Sequence, residues 1–94
     1  MKMLMLIVAN ERKEELEILL RQSGVPGYTE IPGATGVGLT GPKLGSAAFP
    51  KTSAVLFTMV DDETLARVKK TVHEYCEECG ERLKMAVWSL EETI

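Results

Sequence analysis

Residues 3–9 read MLMLIVA, an unbroken run of apolar side chains. Residues 54–60 read AVLFTMV and are nearly as apolar. A short run that is apolar at both alternating sets of positions is typical of a strand covered on both faces. We therefore predict that these two segments lie side by side in the middle of one β-sheet.

A helix is predicted after each of these strands. After the first, Asn10 stands at the position of an N-cap, leucines follow at helical spacing, and Gly24 supplies the stop. After the second, Asp61 and Asp62 are the predicted caps. The second helix then has an apolar stripe with spacings of three and four, formed by Leu65, Val68, Val72, Tyr75 and Cys79. Gly80 is its predicted end.

Two weaker strands complete the pattern. Residues 28–32 include Pro32, which has no backbone N–H, so this strand belongs at a sheet edge. Residues 83–88 alternate between apolar and more polar positions. Right-handed crossovers then place the first and third strands in the middle. The predicted fold is α+β: a ferredoxin-like βαββαβ sandwich, with a four-stranded antiparallel sheet and two helices on one face.

The segment from Gly33 to Lys51, called the loop segment below, shows neither a helical nor an alternating period. We predict a long loop, and loops above about 12–15 residues are usually functional or mobile. Residues 36–41 read GVGLTG, but no helix pattern follows, as a dinucleotide-binding fold would require. Two interpretations stay open. Backbone N–H groups could form a concavity for an anion, helped by Thr40 and Lys43, or the glycines could only permit a flexible or bulged hairpin.

Two helices on one face leave the other face of the sheet uncovered. The central strands are apolar on both faces. Each large apolar side chain that stays exposed to water loses the roughly 1.5–3 kcal/mol of stabilisation that its burial would contribute. Residues 90–94 are too few to cover a sheet. We therefore predict that the chain associates with itself through this face.

Length and charge limit the class of protein. Ninety-four residues leave room for one domain, and a net charge of −3 argues against a nucleic-acid partner. The apolar runs are far shorter than the ~20 residues that span a bilayer, so no membrane insertion is expected. Two cysteines do not make a secreted disulfide scaffold. We expect a cytoplasmic protein.

His73, Cys76 and Cys79 form an H-x-x-C-x-x-C pattern that superficially suggests a metal or redox site. On a helix, however, both cysteines flank the core stripe, whereas His73 points about 100° away. Glutamates near the end of this helix also disfavour a thiolate. The sequence offers neither a credible nucleophile nor a tuned acid–base pair, so we predict that the protein is not an enzyme.

Several motifs resemble those of PII signal-transduction proteins. Residues 24–29, GVPGYT, resemble the G-V-x-G-[MY]-T turn into the family's second strand. Residues 36–38, GVG, resemble the G-x-G that opens the family's long T-loop. Residues 49–51, FPK, followed by an apolar strand and two aspartates, resemble the return of that loop. The similarity extends over residues 1–90.

The resemblance implies a single PII-like domain over residues 1–94, with the loop segment as its T-loop. It further implies a homotrimer that binds a small effector, in the family an adenine nucleotide, in pockets between neighbouring subunits. The T-loop would carry the bound state to a protein target. We take as candidate ligand-binding residues Thr29, Gly36, Gly38, Thr40, Gly41, Lys43, Arg82 and Lys84.

The sequence also departs from the family. The loop from Leu39 to Lys51 is shorter than the T-loop and has no tyrosine, so uridylylation there is not available. The turn at residues 80–82 is short, and a basic C-terminal segment is missing. These departures count against ATP and leave open a different small ligand or a nucleotide with fewer phosphates. The alternatives are a CutA-like trimeric metal-responsive protein and an interaction module without a small ligand.

Overall fold

The computed structural model describes residues 1–39, 41–79 and 83–94, with only the backbone at residues 78 and 79. Over these residues the chain forms, in order, β1 (Lys2–Ala9), a 3-10 turn (Asn10–Arg12), α1 (Lys13–Gln22), β2 (Thr29–Ala34), β3 (Gly36–Gly38), β4 (Gly41–Lys43), β5 (Ser53–Val60), α2 (Asp62–Cys79) and β6 (Lys84–Ser89). The predicted βαββαβ order is confirmed. Within the predicted long loop, β3 and β4 pair as a short antiparallel hairpin. The predicted helix end at Gly80 lies outside the described residues.

β1 and β5 are the central strands of the sheet, whose described strands lie in the order β2-β5-β1-β6 and are all antiparallel. This confirms the predicted ferredoxin-like sheet. β2 lies at an edge, as Pro32 requires, and continues beyond the predicted strand to Ala34. Its register with β5 shifts between Ile31 and Ala34.

α1 and α2 cover one face of the sheet, as predicted. Successive residues of a strand point to opposite faces, so alternate residues of β1 and β5 enter this core. The buried core comprises Leu4, Leu6, Val8, Leu16, Leu20, Ala54, Leu56, Val60, Leu65, Val68 and Val72. Among the described residues, no helix is long and apolar enough to cross a bilayer.

His73 and Cys76 of the H-x-x-C-x-x-C pattern lie in different environments, as helical geometry predicts. Cys76 is partly buried and packs against the core. His73 is exposed, and its Nε2 lies 3.0 Å from a carboxylate oxygen of Glu77. The side chain of Cys79 lies outside the described part of the chain. Over the described residues, therefore, Cys76 and His73 do not share a site.

The two helices begin differently. Asp61 caps α2 as predicted, since its Oδ1 accepts the backbone N–H of Thr64 at 2.8 Å. The predicted N-cap at Asn10 is wrong. Asn10 lies in the 3-10 turn that precedes α1, and its Oδ1 accepts the N–H of Gly33 instead, at 3.1 Å. α1 ends at Gln22 with Ser23 as its C-cap. Gly24 follows as the predicted C′ stop, with a φ of 85° that favours glycine.

The cap on α2 predicts a pH-dependent contribution to stability. The hydrogen bond from Thr64 holds the pKa of Asp61 below its ordinary value of 3.8. A lowered native-state pKa stabilises the fold at neutral pH, and the contribution is lost as pH falls through that pKa. We expect Asp61→Ala to lower Tm at neutral pH, with the difference shrinking below pH 3.8 in thermal unfolding.

Asp61→Asn is the matched control, because asparagine caps helices about as well and does not titrate. It should keep most of the wild-type Tm at neutral pH. Equal Tm values for Asp61→Ala and the wild type at neutral pH would contradict the assignment.

Candidate functional site

A groove of about 500 Å³ opens where the end of β1, the start of β5, the β3–β4 hairpin and the start of β6 meet. This volume lies within the range of small-molecule pockets, roughly 300–1,000 Å³. The register brings the strands together at this point, since Ile7 pairs with both Val55 and Lys84. The groove is therefore built by long-range pairing.

The groove combines an apolar wall with positive charge. Ile7, Val55 and Leu83 provide apolar surface, whereas Lys43 from β4 and Lys84 from β6 provide two ammonium groups. Within the described part of the chain, neither ammonium group has an ion-pair partner. Such a lining suits a ligand with an apolar ring and an anionic group, because each part meets matching chemistry.

Gly36 and Gly38 line the groove where the fold does not itself require glycine. Neither has a positive φ, and a Cβ atom at either position would meet nothing within 4 Å. Glycine within a strand often marks the close approach of a ligand or another backbone. The absence of side chains keeps this wall of the groove open to an occupant.

The structure brings five of the eight candidate residues together in the groove: Gly36, Gly38, Gly41, Lys43 and Lys84. Thr29 lies elsewhere, while Thr40 and Arg82 lie outside the described residues. The loop segment contains a hairpin formed by β3 and β4, and an anion-binding role for its backbone stays a prediction. Over residues 41–53 GVGLTG is followed by β4 and the start of β5, and by no helix such as a dinucleotide-binding fold has at this point.

Thr29 lines a second concavity, of about 230 Å³, with Met3, Tyr28, Phe57 and Met59 among its neighbours. We call it the Thr29 concavity. The sheet face opposite α1 and α2 reaches both this concavity and the groove, and we call it the open face. Its side chains, assigned from the register, are Met3, Met5, Ile7, Thr29, Ile31, Val55, Phe57, Met59, Lys84, Ala86 and Trp88.

A charged cluster lies between α1 and β2. Lys13 Nζ donates to Glu30 Oε1 at 3.0 Å, which joins α1 to β2. A hydrogen bond with Glu30 raises the pKa of the Glu17 carboxyl above its ordinary value. The same contact, with that from Lys13, lowers the pKa of Glu30.

Sequence reasoning missed the apolar side of the groove. Ile7 and Val55 were expected only in the sheet, and Leu83 only in the last strand. One feature of the sequence could have indicated these three residues: each lies at the end of a strand, close to the glycine-rich segment in the predicted sheet. Their contact with that segment depends on the strand register, which the local pattern does not give.

The whole chain, residues 1–94, matches the family described as Nitrogen regulatory protein P-II. The chain belongs to the P-II family. This confirms the predicted identity of a divergent PII-like protein. No curated protein matches the sequence.

Solved structures of PII-like proteins share the fold. CPII from Thiomonas intermedia, bound to ADP, AMP and bicarbonate, has a TM-score of 0.78 and 22% identity, with 93% of this chain and 82% of that chain covered. A PII-like signaling protein from Thermus thermophilus has a TM-score of 0.70 and 18% identity, covering 93% and 83%. A DUF3240 family protein from Shewanella baltica has a TM-score of 0.71 and 13% identity, covering 98% and 91%.

Because a Cβ atom at Gly38 would meet nothing within 4 Å, we predict that the protein without ligand tolerates an alanine there. Gly38→Ala should change the free energy of unfolding by no more than about 0.5 kcal/mol, the usual range for an exposed site. Gly24→Ala is the matched control, since Gly24 has a φ of 85° and its Cβ would lie 3.3 Å from Arg67. In thermal unfolding without ligand, Gly24→Ala should have a lower Tm than the wild type, whereas Gly38→Ala should not. A comparable loss at Gly38 would show that the fold needs that glycine.

Proposed function

We propose that this P-II family protein is a non-catalytic regulator that binds an adenine nucleotide in the groove and signals through the loop segment. The observation that carries the proposal is the groove itself, which is lined by the glycines of the hairpin, by apolar side chains and by two lysines. A regulator of this kind would act in the cytoplasm. Binding and signalling need no reacting side chain, which agrees with the prediction from the sequence that the protein has neither a nucleophile nor a tuned acid–base pair.

The chemistry of the groove favours a nucleotide with few phosphates. Ile7, Val55 and Leu83 offer surface to an adenine ring, and Lys43 and Lys84 offer charge to phosphate. CPII of Thiomonas intermedia, which has the same fold, has been solved with ADP, AMP and bicarbonate. Two lysines match the charge of ADP or AMP better than that of ATP. We therefore propose ADP and AMP as the preferred ligands.

The open face supports a homotrimer as the working unit, the assembly that the PII resemblance implies. Ile31, Met59 and Trp88 are exposed by 51%, 46% and 44% in the single chain. Burying such side chains against neighbouring subunits contributes roughly 1.5–3 kcal/mol for each one that becomes fully covered. Contiguous exposed apolar surface of this kind marks an interface.

Assembly through the open face would also complete the ligand site. The groove lies at the Ile7 end of this face and the Thr29 concavity at the Met3 end. A neighbour that covers the open face can set its Thr29 concavity against the groove. The proposed site therefore lies between subunits and includes Thr29 from the neighbour.

The β3–β4 hairpin supports a role for the loop segment in signalling. Val37 and Leu39 line the groove and are exposed by 77% and 98%. An effector in the groove therefore touches the same residues that the hairpin presents to solvent. A protein target that binds these apolar side chains would sense whether the groove is occupied.

Two other functions remain as outcomes of the test. A CutA-like metal response predicts a trimer that divalent metals stabilise and nucleotides do not. A ligand-free interaction module predicts a hairpin whose order no metabolite changes. Among the described residues, no group of three or more His, Cys, Asp or Glu side chains could hold a metal ion.

We expect ADP and AMP to bind more tightly than ATP in isothermal titration calorimetry. ADP at about 100 times its Kd should raise Tm by several degrees, because it adds about 2.7 kcal/mol to stability. Lys43→Ala and Lys84→Ala should each weaken ADP binding by about tenfold or more, the effect of one lost charge-assisted hydrogen bond.

Two controls make this test specific. Lys51→Ala removes a lysine from a neighbouring concavity and should leave the Kd for ADP unchanged. Adenosine has no phosphate, so Lys43→Ala and Lys84→Ala should not weaken its binding. Stabilisation by a divalent metal and by no nucleotide would reject the proposal in favour of the metal response.

Met59→Asp should break the trimer, because it places a charge in the proposed interface while Met59 is exposed in the single chain. Light scattering should change from three times the 10.4 kDa chain mass to a smaller species. Ile18→Asp is the matched control, since Ile18 lies on α1 and is exposed by 52%. Equal masses for both variants and the wild type would contradict assembly through the open face.

A further inference from the structure

Asn10 joins both roots of the loop segment to the end of β1. Its side-chain Oδ1 accepts the backbone N–H of Gly33 at 3.1 Å, where the segment begins. Its own backbone N–H donates to the carbonyl oxygen of Thr52 at 3.0 Å, just beyond the end of the segment. We call these two hydrogen bonds the Asn10 clasp.

The clasp uses a side chain that would otherwise stabilise a helix. Asparagine is among the best N-cap residues, yet no side chain caps α1 or the 3-10 turn among the described residues. Gly33, in turn, has a φ of 68° at the register shift in β2, where its N–H points to Asn10 rather than into the sheet. Both partners thus depart from their ordinary local roles to make this bond.

The clasp lies directly behind the groove. Asn10 does not line the groove but contributes to a neighbouring concavity with Pro50 and Lys51. Each residue that the clasp joins is next to a residue that does line the groove: Ala9 precedes Asn10, Ala34 follows Gly33 and Ser53 follows Thr52. A change in the clasp therefore moves three parts of the groove wall relative to each other.

We infer that Asn10 is a positioning residue that fixes the loop segment in the orientation that binds the effector, an inference that rests on the proposed function. Asn10 acts through the backbone of Gly33 and Thr52 and does not touch the ligand. Without its side chain, Gly33 is released, and the hairpin samples orientations in which the groove is incomplete. Effector affinity then falls in proportion to the fraction of the binding-competent state.

The test compares Asn10→Ala and Asn10→Asp in the full-length chain, with ADP as the probe. Asn10→Ala removes the acceptor and should raise the Kd for ADP by about fivefold, the usual worth of one hydrogen bond. It should also speed the exchange of the Gly33 amide proton, followed by NMR without ligand, by about the same factor. Asn10→Asp keeps an acceptor oxygen and should restore both values to within about twofold of the wild type.

Gln22→Ala is the control, because it truncates an exposed amide side chain at the far end of α1 and should change neither value. Unchanged Gly33 exchange and unchanged ADP affinity in Asn10→Ala would overturn the inference, as would equal losses in Asn10→Asp and Asn10→Ala. If ADP binds to no variant and not to the wild type, the proposed function fails on its own. The Gly33 exchange rates and the 15N relaxation of residues 36–43 then decide whether Asn10 orients the hairpin.

Discussion

The pairing of β1 with β5 is the constraint on which the rest of the structure depends. The two strands pair along their full length, from Lys2 opposite Val60 to Ala9 opposite Ser53. Every other described strand of the main sheet attaches to one of these two, and α1 and α2 pack on the face that they share. A slip of one residue in this register would exchange the two faces, so that core leucines became exposed and the open-face methionines faced the helices.

Alternate residues of each central strand point to opposite faces of the sheet and so have different roles. Leu4, Leu6 and Val8 of β1 build the core of the single chain, and Met3, Met5 and Ile7 lie on the open face. The core and the apolar open face are therefore encoded in one strand, at alternate positions. This explains why residues 3–9 are apolar without interruption, although α1 and α2 cover only one of their faces.

The sequence predicted what depends on neighbours along the chain. Short local sequence patterns predicted the central strands, the cap at Asp61 and the stop at Gly24, and the structure confirms each of them. Asn10 misled the prediction because its local preference for capping is overruled by a partner 23 residues away. The hairpin of β3 and β4 was only one of two open interpretations, because glycine and proline leave no side-chain alternation to detect. The groove wall was missed because Ile7, Val55 and Lys84 meet only through the register of three strands.

The proline in the outer strand also bears on how the sheet avoids uncontrolled growth. A sheet edge with free backbone donors is a template for further strands and thus for aggregation. Pro32 has no N–H to offer, and the N–H of the next residue, Gly33, is already bound to Asn10. Two consecutive positions of β2 therefore present no donor to an incoming strand. This end of the edge therefore offers an incoming strand fewer hydrogen bonds than a regular strand would.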